Sequence, residues 1–269
     1  MNKSDLTLSI VIPTYNEERR LRSTLVAARR YIKLRGLSAE IVVADDGSAD
    51  GTVTLAASAL AETPHQLLTN QDHVGKGDAV RRGVLAARGR FILFTDADLC
   101  TPFETLDRMW PWLDREYDIV IGTRRHHDAH IIVPQPWIRA ALGCVYIWLT
   151  NLLLTTSFSD TNCGFKIFRS RVAHHLFALQ RQPDWCFDAE ILFLARRLGY
   201  LIKEIPVVWR HHSGTKVKPW KDVCTSLLGL LCIRLRAWRQ VYGTLLPMRE
   251  IEQCAVSPHR CSPVSDSLA

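Results

Sequence analysis

Two hydrophobic periods alternate along the first half of the chain. Leu6–Ile12 (LTLSIVI) is a short β-branched run that ends at Pro13; Glu40–Ala44 (EIVVA) and Phe91–Thr95 (FILFT) are similar runs, each followed at once by acidic residues. Apolar runs of this length, bounded by turn residues, predict buried strands. Between them, Leu21, Leu25, Ala28 and Ile32 recur at helical spacing within Glu17–Lys33, and Asp50–Leu60 is alanine-rich. Lys76–Arg88 predicts a helix ended by Gly89, a residue suited to a C-terminal cap. Gln66–Thr69 predicts a weak strand, a helix begins near Pro102, and Asp118–Ile121 predicts a further strand. Repeated strand–helix units predict an α/β fold, a mostly parallel sheet with helices on both faces.

The second half is less regular. A long apolar helix is expected over Trp137–Thr155, a strand at GFKIF, a helix over WCFDAEILFLARRLGY ended by Gly199, a strand over Leu201–Arg210, and a helix from Pro219. No repeat or long linker divides the chain, so one domain is expected over 1–240. The tail, 241–269, lacks periodicity and ends rich in Ser and Pro, so it is expected to be disordered or loosely attached. The most apolar stretch, Ala141–Leu154, falls short of the roughly 20 residues that cross a bilayer. This stretch and Val223–Trp238 fit either core helices or helices lying in a membrane interface.

Composition narrows the class. Of 269 residues, 47% are hydrophobic and 23% charged, which excludes a disordered or fibrous protein. The formal net charge of +7 points to an anionic partner. No nucleic-acid-binding motif accompanies it, so nucleic acid is not expected. The eight cysteines include no CxxC pair, which argues against a zinc ribbon and for a reducing, cytoplasmic setting. The N-terminal apolar run meets proline and acidic residues too soon for a secretory signal.

In open α/β sheets ligands bind beyond the carboxyl ends of the strands. Three acidic groups fall there: Asn16-Glu17 after the first strand, Asp45-Asp46 after the second and Asp96-Ala97-Asp98 after FILFT. Carboxylates at i and i+2 can face one hard cation, Mg²⁺ or Mn²⁺, with substrate phosphate oxygens completing its shell. Asp45 can accept hydrogen bonds from a base or a ribose. Gly75-Lys76-Gly77 lacks Walker A spacing but can set a lysine beside a phosphate at a helix N-terminus. RRHHDAH (Arg124–His130) reads as a solvated loop.

In order, PTYNE, DDGSADGT, GKGDAVRRG and FTDADL resemble the nucleotide-sugar domain of family 2 glycosyltransferases, which have the GT-A fold. GTRR, DTNCGFKIF, WCFDAEIL and EIPVVWRHHSGTK resemble the polyprenyl-phosphate branch of that family, nearest its dolichyl-phosphate glucose synthases. The resemblance implies an inverting transfer of a hexose, glucose foremost, from a uridine diphosphate sugar to a polyprenyl phosphate by a peripheral enzyme at the cytoplasmic face of a membrane. It implies that Asp45 reads the uracil, that Pro13 and Glu17 line the nucleoside site, and that Lys76 meets the nucleotide sugar. Asp96 and Asp98 would hold the metal. Arg124, and with it Arg139, would bind the acceptor phosphate; Asp188 would lie beside the acceptor, and Lys216 would close over the diphosphate. Cys100 stands where mannose synthases of the branch often carry Gln. A family 2 enzyme with a hydroxyl acceptor, or a non-catalytic nucleotide-sugar-binding module, would share much of this pattern. Oligomeric state is not indicated.

Overall fold

The computed structural model describes residues 6–211 and 219–243, with side chains throughout except at 219–224. β1 (Leu8–Thr14), α1 (Glu18–Arg35), β2 (Ala39–Asp45), α2 (Thr52–Leu60), β3 (His65–Thr69), α3 (Lys76–Ala86), β4 (Phe91–Thr95), α4 (Leu106–Asp114) and β5 (Ile119–Thr123) follow the predicted alternation. β6 (His130–Val133), α5 (Trp137–Leu154), β7 (Phe165–Arg169), α6 (Ser170–Leu179), α7 (Phe187–Arg197), β8 (Ile202–Pro206), β9 (Val208–Arg210) and α8 (Pro219–Trp238) complete the described chain.

Seven strands form one sheet in the order β3-β2-β1-β4-β7-β5-β8. All neighbours are parallel except β7, which runs antiparallel to both β4 and β5. Alternation along the strands feeds two apolar layers. Ile10, Ile12, Ile41, Val43 and Leu93 pack with α1, α2 and α4, whereas Val11, Val42, Ile92 and Phe94 pack with α3, α6 and α7. Each such side chain, fully removed from water, contributes roughly 1.5–3 kcal/mol.

Several expectations change. α3 stops at Ala86, and Gly89 lies in a buried turn, its N–H donating to Ser9 Oγ at 2.8 Å, rather than capping the helix. α6 was not expected, although Val172, Ala173, Leu176 and Phe177 bury one face of it. The single strand expected over 201–210 divides. Pro206, which has no N–H to extend a ladder, ends β8, and β9 pairs instead with β6 in a separate two-stranded sheet. α5 is 18 residues long with a mean hydropathy of 1.4, long and apolar enough to cross a membrane by length and composition, where the shorter stretch counted from the sequence was not. Tyr242, assigned to the loose tail, is buried. The rest of that tail, 244–269, and Lys216 lie outside the described residues.

Candidate active site

Parallel strands end together, so β1, β2, β4 and β5 deliver their C-terminal residues to one edge. β7 is antiparallel, so its beginning reaches the same edge: Phe165 pairs with Thr95 and Lys166 with Phe94. Helices α1, α3 and α7 start there too. This geometry gathers most of the predicted residues.

Asp96 follows β4 and accepts a bond from Lys76 Nζ at 2.6 Å. A Cβ at Gly164 would collide with the Asp96 carboxylate, so glycine in DTNCGF leaves that carboxylate its seat. Burial raises the Asp96 pKa, Asp98 and Asp188 add to the rise, and Lys76 only partly opposes it. For Lys76 burial acts the other way, but Asp96, Asp188 and Asp98 outweigh it and hold the ammonium charged. Its Nζ lies 4.8 Å from the centroid of the Trp185 ring. Asp98 is half-buried and accepts from the Cys100 N–H at 3.3 Å.

Asp188, in the first turn of α7, is buried and accepts from Lys166 Nζ at 2.6 Å; Lys166 also donates to the Cys163 carbonyl at 2.7 Å. The site therefore alternates carboxylate and ammonium: Asp188 beside Lys166, Asp96 beside Lys76. The sequence reading missed Lys166. Its signal is a charge in the middle of the apolar run GFKIF.

Arg124 follows β5. Its Nε and Nη2 grip Asp160 at 2.7 and 2.9 Å, and its backbone N–H donates to the same carboxylate at 3.1 Å. Burial works against the guanidinium, but Asp160 outweighs it and raises its pKa; Asp160 is held low by the same pair despite its own burial. Asp160 was not singled out by sequence. Arg139, in the first turn of α5, differs: its Nη1 is buried and has no hydrogen-bond partner among the described residues. Burial and then the Arg124 charge push its pKa down, with Cys100 and Asp98 pulling the other way. Two guanidiniums thus share one region facing the Asp98 loop.

On the β2 side, Asp45 accepts from Thr14 Oγ1 at 2.9 Å and from the Ser48 N–H at 2.8 Å. Its partner Asp46 turns away, accepting the N–H groups of Val74 at 3.0 Å and Gly75 at 2.8 Å. Pro13 is buried in β1, and Glu17 forms a two-pronged pair with Arg20 at 2.6 and 2.7 Å. Tyr15 stacks on His73 with ring centroids 3.9 Å apart.

The donor set suits a hard divalent ion. Asp96 and Asp98 offer carboxylate oxygens two residues apart, in the loop that follows β4. A different cluster, His126, His127 and Asp128, is exposed in the loop after β5.

In an open α/β sheet ligands bind at the carboxyl edge, where these acids and ammoniums gather. Residues 9–177 match the family model for glycosyl transferase family 2, and the chain belongs to that family: it is a glycosyltransferase. It is 32% identical over 245 residues to a dolichyl-phosphate beta-glucosyltransferase of Dictyostelium discoideum, covering 86% of this chain and 75% of the relative. Enzymes of the same description from Drosophila melanogaster (34%, covering 87% and 77%) and Homo sapiens (32%, covering 86% and 77%) are similarly related. The fold is GT-A-like. Its likeness to glucosyl-3-phosphoglycerate synthase from Mycobacterium tuberculosis, solved with Mn²⁺ and UDP-glucose, has a TM-score of 0.65 at 19% identity and covers 85% of this chain and 79% of that one. Mannosyl-3-phosphoglycerate synthase from Rubrobacter xylanophilus also gives 0.65 at 19% identity, covering 87% and 75%.

Proposed function

We propose that this glycosyltransferase moves glucose from UDP-glucose to dolichyl or another polyprenyl phosphate at the cytoplasmic face of a membrane. The observation that carries this reading is the arginine pair. Arg124 is anchored by Asp160, while Arg139 keeps a buried guanidinium nitrogen without a partner among the described residues. An acceptor phosphate would supply the missing charge-assisted bonds. The relatives named above act, by their descriptions, on dolichyl phosphate.

The chemistry follows from the ionisation of the acceptor. A phosphate monoester has a second pKa near ~6 and is largely dianionic at neutral pH, so it needs aiming rather than deprotonation. Asp188 is buried against Lys166, an arrangement that orients neighbours and is ill suited to strong general-base work. A sugar hydroxyl acceptor would require such a base, which is why the hydroxyl reading fits less well. Asp45, Pro13 and Glu17 bind the nucleoside, Lys76 binds the diphosphate, and Asp96 with Asp98 would hold Mg²⁺ or Mn²⁺. That ion would offset charge on the departing diphosphate. Direct attack by the phosphate oxygen on the anomeric carbon inverts an α-linked donor to a β-linked product.

Access for the prenyl chain comes from α5 and α8, which pack on each other. Their outer faces expose Trp137, Ile138, Trp148 and Leu152 on α5 and Leu228, Leu231, Leu235 and Trp238 on α8. Arg234 and Arg239 lie exposed among and just beyond the latter. Apolar surface rimmed by arginine suits a peripheral position among anionic head groups. Arg139, at the start of α5, links that surface to the transfer site.

A donor screen with dolichyl phosphate tests the reading by scoring UDP or GDP release. UDP-glucose with Mg²⁺ or Mn²⁺ should give the highest turnover. Better transfer to free sugars than to lipid phosphate would reject it.

A further inference from the structure

The motif FDAE contains a second acid that the transfer reaction leaves unused. Glu190 lies two residues beyond Asp188 in α7 and is fully buried. Its Oε2 accepts the backbone N–H groups of Arg181 at 2.9 Å and Gln182 at 2.8 Å, and its Oε1 accepts the Tyr242 hydroxyl. Burial raises its pKa against the pull of these donors. Taking a carboxylate out of water costs several kcal/mol, a cost that an apolar residue at this position would avoid. An apolar residue would, however, leave the two amides of the 180–184 loop without their acceptor.

That loop in turn holds the start of α3. The Pro183 carbonyl accepts the Asp78 N–H at 3.0 Å, and Gln180 Nε2 donates to the Gly77 carbonyl at 2.9 Å. Gly75 has φ +148°, and a Cβ there would collide with the Pro183 carbonyl oxygen. From the opposite side Asp46 grips the N–H groups of Val74 and Gly75. Lys76 sits between these clamped glycines, and Trp185, just past the loop, lies beside its ammonium. The same loop also reaches α8, because Gln182 Nε2 donates to the Gly229 carbonyl at 3.0 Å.

We infer that Glu190 is a positioning residue for Lys76: it fixes the 180–184 loop, which sets the first turn of α3, and through Tyr242 it ties that setting to the seating of α8. The inference rests on the reading of Lys76 as a ligand of the donor diphosphate. Donor affinity then depends on the helix that carries the apolar outer face.

The test is a double-mutant cycle on the full chain, reading UDP affinity in the presence of Mn²⁺ by calorimetry. Glu190→Gln should weaken UDP binding about tenfold and Tyr242→Phe about threefold, the range of coupling between residues in one network. In a Lys76→Ala background neither substitution should weaken it further, whereas a merely structural role would add in full. Unchanged affinity in both variants, or additive losses, overturns the inference while leaving the role of Lys76 standing. If Lys76→Ala alone leaves UDP affinity intact, the reading of Lys76 fails and this inference with it. Should Glu190→Gln not fold, the Tyr242→Phe cycle decides by the same criterion.

Discussion

The two ends of the central strands treat buried carboxylates in opposite ways. At the amino-terminal end of β2, Glu40 is fully buried and saturated: it accepts from Ser9 Oγ at 2.8 Å, the Arg88 N–H at 2.7 Å, the Arg88 guanidinium at 2.7 and 3.1 Å, and Gln66 Nε2 at 3.0 Å. Burial raises its pKa, but these donors outweigh burial and hold it low. At the carboxyl end of β4, burial raises the Asp96 pKa, Asp98 and Asp188 add to the rise, and its one ammonium, Lys76, only partly opposes it. A structural acid has its charge fully met by the protein. Asp96 is held by one ammonium and keeps a raised pKa, the pattern of a candidate binding site.

Substitutions can break this contrast. The largest effect is expected for Asp96→Asn and Asp98→Asn, which should lower turnover by about three orders of magnitude, since a divalent ion supplies several kcal/mol to the departing charge. Urea unfolding of Asp96→Asn should show a midpoint no lower than that of the wild type, because no saturated acid is lost. Full turnover in chelator would remove the metal from the account. Next is Arg124→Ala, which strands the buried Asp160 charge and should cost about 3–5 kcal/mol of stability. Arg139→Ala breaks no ion pair of that kind among the described residues. It should raise the KM for lipid phosphate about tenfold, the worth of one hydrogen bond to a charged group, with thermal stability unchanged. An acceptor KM that does not move would place the phosphate elsewhere.

Glu40→Gln sharpens the comparison from the other end: about 1–3 kcal/mol of stability lost, with turnover per folded molecule intact. The pH dependence should run in opposite senses at the two ends. Glu40, with its lowered pKa, contributes stability that is present above the ordinary glutamate pKa of about 4.3 and is lost as pH falls through the folded value. Asp96, with its raised pKa, opposes folding increasingly as pH rises above the ordinary aspartate value. The stability gap between wild type and Glu40→Gln should therefore close in acid, which unfolding curves at a series of pH values would show. The smallest effect is on membrane association: Leu228→Glu with Leu231→Glu should reduce co-sedimentation with anionic liposomes without unfolding the domain. Binding by that variant equal to the wild type would move the contact off α8.

How much of this was legible in the sequence depended on the range of the interaction. β1, β2 and β4 announce themselves through local runs, and a parallel sheet then places Asp45, Asp96 and Asp98 at one edge by rule. The direction of β7 does not follow from FKIFR, because it depends on which neighbours that strand joins. Lys166 therefore carried no visible role until its pairing with Phe94 brought it to Asp188. Arg124 was found by resemblance, but its grip on Asp160 reaches across β6, α5 and their loops and has no local signature. Tyr242 lies beyond α8, in a stretch without periodicity, and its burial and its contact with Glu190 show that it is packed.

The insertion of β7 also sets an order of assembly. β4 and β5 share no ladder; the strand that joins them begins at Phe165, after α5 has been made. A chain emerging from the ribosome can pair β1 to β4 as an open half-sheet, but β5 must wait a few seconds for its neighbour at synthesis rates of about 5–20 residues per second. During that interval the outer side of β4 and both sides of β5 lack ladder partners, the kind of edge that templates wrong pairing. Lys166 arrives on that joining strand, so the counter-charge is in place before Asp188, 22 residues later, is made.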